Sequence, residues 1–564
     1  MTLATIGRII FLVGSPALLA PALSGAPARA EAPGPIGHWK FAGDANDASG
    51  RGHHGRAVAV DLTAPGPDGG PGTAARFDGT SSFVEIPPHP SLELGRGDFS
   101  LAVWAWTEQD PDDSPGDLLS KFDPATRRGL NWSIKSGTGV TSSQANDRNI
   151  HFGVDSGTEP AWTDRGRPGD ATFVMALAVH DGTLYAGTCE AGPGAAGHVY
   201  RYDGERRWVD CGAPDRSNAV TSLASFGGKL HAGTGRYRLA GSALPESTNA
   251  NPGGKVFRLE GDGRWADCGQ LPGVEAVGGM VAFRGGLYAS SLYKPAGLFR
   301  HRGGDAWDPC PLPDDGRRVV PLGVFNGHLY AGSYDTCSVA RFDGKVWETF
   351  PPLEESGQTY SFEAHGGELF VGTWPNGRVF RFDRGERWVS AGRLGEETEA
   401  MGMAVHNGKL YAGTLPLAEV HRFDGGTSWT RTGRLDPTPD VRYRRAWSMA
   451  VFDGRLFCGT LPSGRVHALE VGQSATYDRT LEPGWRHLAA IREGARLSIF
   501  VDGRRVASSS STANTAPLDL ANRAPLRVGI GGHDHFRGRL SDLRLYDRAL
   551  SADEVAALAN RARP

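Results

Sequence analysis

Through the middle of the chain, apolar and polar positions alternate in short runs ended by glycine-rich turns, the period-two pattern of strands with one buried face. One run recurs. The form Gly-x-Leu-aromatic-Ala-Gly-Thr appears as Gly182-Thr183-Leu184-Tyr185-Ala186-Gly187-Thr188 and returns, with variation, from Gly228, Gly285, Gly327, Gly367, Gly408 and Gly454. The spacings are 46, 57, 42, 40, 41 and 46 residues. Before each anchor lies an apolar strand such as Met175-Ala176-Leu177-Ala178-Val179. After it comes a strand such as Val199-Tyr200-Arg201-Tyr202, and then one opened by Trp208, Trp265, Trp307, Trp347, Trp388 or Trp429.

Four short strands per repeat is the period of a β-propeller blade. Seven repeats begin, and the seventh, ending near Val466-His467-Ala468-Leu469, lacks its tryptophan strand. Ala161-Trp162-Thr163-Asp164 matches that missing strand and precedes the first repeat, so a ring closed by its own beginning is expected. Five residues before each anchor stand Leu177, Leu223, Met280, Leu322, Phe362, Met403 and Met449, all bulky. One residue later stand Ala178, Ala224, Val281, Gly323, Glu363, Ala404 and Ala450, mostly small. Bulk on one strand face and space on the other lets neighbouring blades interlock. The pattern Val-Tyr-Arg-Tyr-Asp-Gly-x-x-x-Trp resembles kelch-type repeats, with Gly-Thr in place of the kelch double glycine. The segments 383–388 and 424–429 resemble sialidase Asp-box turns, which implies a structural role.

The outer segments carry alternating strands of a different kind. They include Gly37-His38-Trp39-Lys40-Phe41, Phe99-Ser100-Leu101-Ala102-Val103-Trp104, Trp485-Arg486-His487 and Phe500-Val501-Asp502-Gly503, ending in Leu545-Tyr546-Asp547-Arg548-Ala549-Leu550-Ser551. Together they resemble the laminin-G-like, concanavalin A-like jelly roll of secreted bacterial proteins, with Ser541 where that family usually has Asp. Ser551 and Glu554 form a capping box for a short final helix. The expected fold is all-β: a concanavalin A-like sandwich, 36–157 and 471–562, interrupted by a seven-bladed β-propeller, 158–470.

The amino terminus reads as a secretory signal over residues 1–30: Arg8, an apolar run from Ile9 to Leu23, and Ala28-Arg29-Ala30 before a cleavage point at Glu31. An extracellular or periplasmic location follows, with no membrane span after cleavage. Net charge of −3 gives no electrostatic case for nucleic acid. Six cysteines, at 189, 211, 268, 310, 337 and 458, show no zinc-type spacing, and their pairing stays open.

GxSxG, HExxH and P-loop motifs do not occur. In a propeller, the loops joining second to third strands share one face with the blade-to-blade loops and line the channel mouth. Those loops hold Glu190, Arg236, Tyr237, Arg238, Tyr293, Lys294, Tyr334, Asp335 and Trp374, with Tyr360 and Trp447 beside them. Aromatic rings among polar groups suit a sugar, so the expected ligand residues are Tyr237, Tyr293, Tyr334, Asp335, Tyr360, Trp374 and Trp447. The leading expectation is a secreted glycan-binding or surface-interaction protein whose partner is a carbohydrate or other extracellular ligand. The alternative is a polysaccharide lyase or glycosidase using Glu363, Asp335 or Glu190. His53-His54 and His533-Asp534-His535 lack a third spaced metal ligand. Asp44 and Asp47 are turn formers and candidate calcium ligands.

Overall fold

The computed structural model describes residues 33–110, 112–138, 143–261, 263–313, 317–383, 387–509 and 516–560; the expected secretory signal lies outside them. Two facing sheets draw strands from both outer segments. One runs, in hydrogen-bonded order, Asp61–Ala64, Ala74–Asp78, Arg537–Tyr546, Phe99–Thr107, Gly484–Glu493, Arg496–Val501 and Arg504–Ser508. The other runs Arg56–Val58, Phe83–Ile86, Leu526–Val528, Gly116–Asp123, Arg128–Gly137, Asn146–Ser156 and Gln473–Tyr477. Their inner faces bury one core around Trp39, Phe77, Phe99, Trp132, Phe152 and Ile499. The chain leaves the second sheet after Ser156 and returns at Gln473 in the adjacent strand, with Val154 opposite Gln473 and Ile150 opposite Tyr477. Such a gap accepts a long excursion because its ends are already neighbours. The final helix, Ala552–Asn560, is capped reciprocally by Ser551 and Glu554.

The excursion is a propeller of four-stranded antiparallel sheets. Their innermost strands are Phe173–His180, Ala219–Phe226, Val277–Phe283, Val319–Phe325, Gln358–His365, Glu399–His406 and Arg445–Phe452. Each packs on the next, and the last packs back on the first. Ala161–Asp164 supplies the outer strand of the last sheet, with Trp162 opposite Leu469. Bulk meets space between sheets: a Cβ on Gly323 would sit 2.8 Å from Phe362 Cβ. Likewise Leu223 shares a buried cluster with Ala178, Met280 with Ala224, and Met449 with Ala404.

Repeated tryptophans stitch the rim. The indoles of Trp208, Trp265, Trp307, Trp347 and Trp429 donate to the carbonyls of Arg165, Cys211, Cys268, Pro311 and Ala391 on the preceding sheet. Cys211, Cys268 and Cys310 each stand three residues after such a tryptophan, one per sheet, and so lie apart. All six cysteines are free thiols.

The sandwich seals one end of this ring. Ala145 O accepts from Val179 N at 2.8 Å, Gln144 N donates to Leu223 O at 3.0 Å, and Gln144 Oε1 accepts from Ala282 N at 2.8 Å. Thr138 Oγ1 donates to Phe362 O at 2.6 Å, Lys135 Nζ to Val405 O, and the Asn146 amide bonds both ways with Val451. Inner strands of six sheets are thus tied to one sandwich hairpin. Glu363 falls in this seam, where it pairs with Lys135 at 3.1 Å and accepts Val405 N–H at 3.1 Å. Burial pushes its carboxyl above the ordinary range, against the pull of Lys135. A second buried pair joins Lys409 to Asp155. The His533-Asp534-His535 loop also docks here: His365 Nδ1 bonds Gly532 O at 2.6 Å, and Gly367 N donates to His533 O at 3.3 Å. Asp117 holds that loop by accepting the backbone N–H of His533 and Asp534 at 2.8 and 3.0 Å. Burial lifts Asp117 to about 7 despite those bonds.

Three outcomes are expected. Trp162→Ala lowers unfolding stability by about 2–3 kcal/mol, whereas Trp374→Ala, on an exposed ring, stays within about 0.5 kcal/mol; equal midpoints in denaturant would exclude the outer-strand closure. Glu363→Leu alone strands a buried ammonium and costs about 3–5 kcal/mol, most of it recovered by adding Lys135→Met; a double variant as weak as the single one would contradict this. Asp117 binds its proton more tightly folded than unfolded, so its contribution is full below about pH 4 and is lost as pH rises to about 7. The stability gap between wild type and Asp117→Asn should therefore shrink across that window, and a pH-independent gap would refute it.

Candidate functional site

Each innermost strand carries the chain toward the sandwich-facing turn, and eight extended residues span roughly 23 Å. Phe173, Gln358, Glu399 and Arg445 begin their strands at the far end, which is the open mouth. There a cavity of about 380 Å³ is walled by Tyr237, Tyr293, Tyr334, Tyr360 and Trp447, with Arg238, Arg318, Arg445, Gln358 and Glu246 among them. Gln358 with Tyr360 and Arg445 with Trp447 stand at the starts of two inner strands, each of which bulges there, and all four line the cavity. Tyr237, Tyr293 and Tyr334 come from loops just after Lys229–Gly235, Gly286–Ser291 and His328–Ser333, the second strands of three consecutive sheets.

The rings form a continuous edge-to-face series. Tyr334 meets Tyr360 at 5.3 Å and Tyr360 meets Trp447 at 6.1 Å, while Phe173 joins Trp447 to Tyr237 at 5.4 and 5.6 Å. Trp447 is also a latch, because its indole donates to Met175 O across the last and first sheets at 2.9 Å. Tyr360 Oη donates to Gln358 Oε1 at 2.8 Å. The charges are unequally matched. Arg318 grips Asp335 at 2.7 and 3.0 Å, and Arg238 pairs with Glu275 at 3.2 Å while lying 4.5 Å from the Tyr293 ring. Glu246 accepts the N–H groups of Leu239 and Ala240 at 3.1 and 2.9 Å. Arg445 Nη1 reaches Tyr237 Oη at 3.3 Å and also Ser242 Oγ. Glu399 stands nearby, its carboxyl pushed up by burial against the opposing pull of Arg445 and Tyr360.

Five of the seven expected ligand residues therefore meet at this mouth. Asp335 stands behind Arg318, and Trp374 lies across Gly357 at the rim, 39% exposed, rather than in the lining. The three candidate catalytic carboxylates do not converge. Glu190 accepts the hydroxyls of Thr188 and Tyr200, Asp335 is held by Arg318, and Glu363 borders a separate cavity of about 650 Å³ against the sandwich. Glu363 lies away from the mouth, where the hairpin carrying Lys135 occupies its side of the ring.

Sequence reasoning missed Arg318, Gln358, Glu399 and Arg445. All four stand nine positions before an anchor glycine, in consecutive repeats, where the other three repeats have Phe173, Ala219 and Ala276. Reading the repeat register to that depth would have found them.

Among the described residues, no three His, Cys, Asp or Glu side chains cluster as a metal site requires. Asp47 accepts N–H groups of His38, Ser49 and His53; burial opposes its ionisation, but these bonds outweigh it and hold its pKa at about 2. Asp44 accepts from Asn46 in its own loop.

Residues 444–556 match the sequence model of the concanavalin A-like lectin/glucanases superfamily. That match begins just before the innermost strand of the last ring sheet and runs through the second outer segment into the final helix. No curated protein matches the chain. Solved structures with a similar course include virginiamycin B lyase of Staphylococcus aureus, solved as an inactive variant with quinupristin, at 12% identity and TM-score 0.43, covering 56% of this chain and all of that one. The β-propeller domain of Cps50 (Swd1) from Myceliophthora thermophila matches at 13% identity and TM-score 0.38, covering 55% of this chain and all of that domain. The chain thus combines a concanavalin A-like region with propeller architecture, a pairing that fits a lectin-like or binding protein.

Proposed function

We propose that the open mouth of the ring binds carbohydrate, and that the protein is a secreted, extracellular or periplasmic, glycan-binding protein. In this reading residues 158–470 are a seven-bladed, kelch-like insert in a laminin-G-like sandwich formed by 36–157 and 471–562. The observation that carries it is the aromatic wall: five rings from five sheets around about 380 Å³, interleaved with amide, carboxylate and guanidinium groups. Pyranose faces are apolar and their rims are hydroxyl-rich, so rings supply contact area while polar neighbours fix orientation. The cavity has the size of a small-ligand site. Its walls are held by packing and hydrogen bonds before any ligand arrives, which lowers the ordering cost of binding.

The test is a panel of soluble oligosaccharides titrated into the full chain, with the solution analysed afterwards for released products. Tyr334→Ala should keep the melting midpoint and weaken binding several-fold, because a stacked ring contributes about 0.5–1.5 kcal/mol beyond its buried area. Unchanged affinity in that variant would remove the mouth as the site. Release of shorter or unsaturated products would make the protein a polysaccharide-active enzyme instead.

A further inference from the structure

The three arginines of the mouth differ in one respect. Arg318 and Arg238 each have a carboxylate, Asp335 at 2.7 Å and Glu275 at 3.2 Å. Arg445 forms no ion pair with a carboxylate among the described residues. It is also the most buried of the three, with 7% exposure, while Arg238 stands at the surface. Its Nη1 is used by the hydroxyls of Tyr237 and Ser242, which are neutral, and its Nε has no hydrogen-bond partner. The Glu399 carboxylate favours the cation from beyond ion-pair contact, and one of its buried oxygens, Oε2, has no hydrogen-bond partner.

A guanidinium cannot shed its charge at any physiological pH. Burying it without a counter-ion costs several kcal/mol, so buried charges are nearly always paired. Here the fold keeps the charge in the cavity wall, braced over the Trp447 ring at 5.8 Å. The bracing fixes the guanidinium's position, and its fork geometry suits a planar or tetrahedral oxyanion.

Resting on the carbohydrate reading above, we infer that the ligand is an acidic saccharide, whose carboxylate or sulfate supplies the missing counter-ion to Arg445 while its ring stacks on the tyrosines. Two neutral hydroxyl partners and no paired carboxylate describe a cation arranged for an incoming anion rather than one satisfied by the protein. Neutral sugars would leave it as it is, with no gain from charge pairing.

The experiment titrates the full chain with tetragalacturonate, with the same oligomer fully methyl-esterified, with a sulfated neutral tetrasaccharide and with cellotetraose. The ester preserves shape and removes charge. Tetragalacturonate or the sulfated oligomer should bind at least about tenfold more tightly than the uncharged sugars, since hydrogen bonds to a charged group are the stronger ones. The preferred member of the pair identifies carboxylate or sulfate as the anion. Arg445→Gln should weaken acid binding far more than ester binding, so that the acid-over-ester preference falls to about one. Arg445→Lys, which keeps the charge, should fall between them if the glutamine variant does not fold. Equal binding of acid and ester by wild type overturns the inference and leaves the carbohydrate reading standing. Failure of every sugar to bind overturns both.

Discussion

Seven inner strands crowd around one axis, and their backbone polar groups at the sandwich end must find partners without bulk water. The sandwich meets that need with the hairpin between Arg128–Gly137 and Asn146–Ser156. Thr138, Gln144, Ala145 and Asn146 bond to main-chain atoms of five different inner strands, and Lys135 reaches a sixth. Once that end is occupied, the rest is constrained. The sandwich cannot swing as an independent module, Glu363 is enclosed against Lys135, and the aromatic mouth lies at the opposite end of the ring. Unpaired buried backbone groups are costly, and a fold that satisfies them across a seam gains a rigid seam in return.

Charge burial at the seam is dense. Lys135 with Glu363 and Lys409 with Asp155 are enclosed ion pairs, and Asp117 and the neighbouring histidines are held away from their ordinary ionisation. Pairs of this kind contribute little net stability but penalise every misaligned arrangement, because separating them strands a charge. They therefore specify how the ring seats on the sandwich more than how strongly. Apolar interlock of bulky and small residues does the complementary work within the ring, fixing the wedge of each sheet.

At the mouth the same elements serve two purposes. Trp447 both lines the cavity and ties the last sheet to the first through Met175, so one residue serves both wall and closure. Tyr237, Tyr293 and Tyr334, from loops, are only partly buried and present their rings to the opening. A rigid inner wall with adaptable outer rings is the division expected of a preformed pocket.

Much of this was legible in the chain alone. The Gly-x-Leu-aromatic repeat, its tryptophans and the stray strand at Trp162 dictated sheets, ring and closure, because strand periodicity and repeat length are local properties. Their position at the entries of inner strands likewise placed Tyr360 and Trp447 at the mouth. What the sequence could not show was the partner of each charge. Glu363 carried the same pattern whether it faced an open channel or Lys135, more than two hundred residues earlier in the chain. Trp374 looked like Tyr334 in its repeat, yet its ring folds over Gly357. Arg318 and Arg445 occupy identical repeat positions, and only the folded structure gives one a carboxylate and leaves the other without. Periodicity fixes backbone and facing; electrostatic pairing depends on distances between remote segments, and those exist only once the ring has closed on the sandwich.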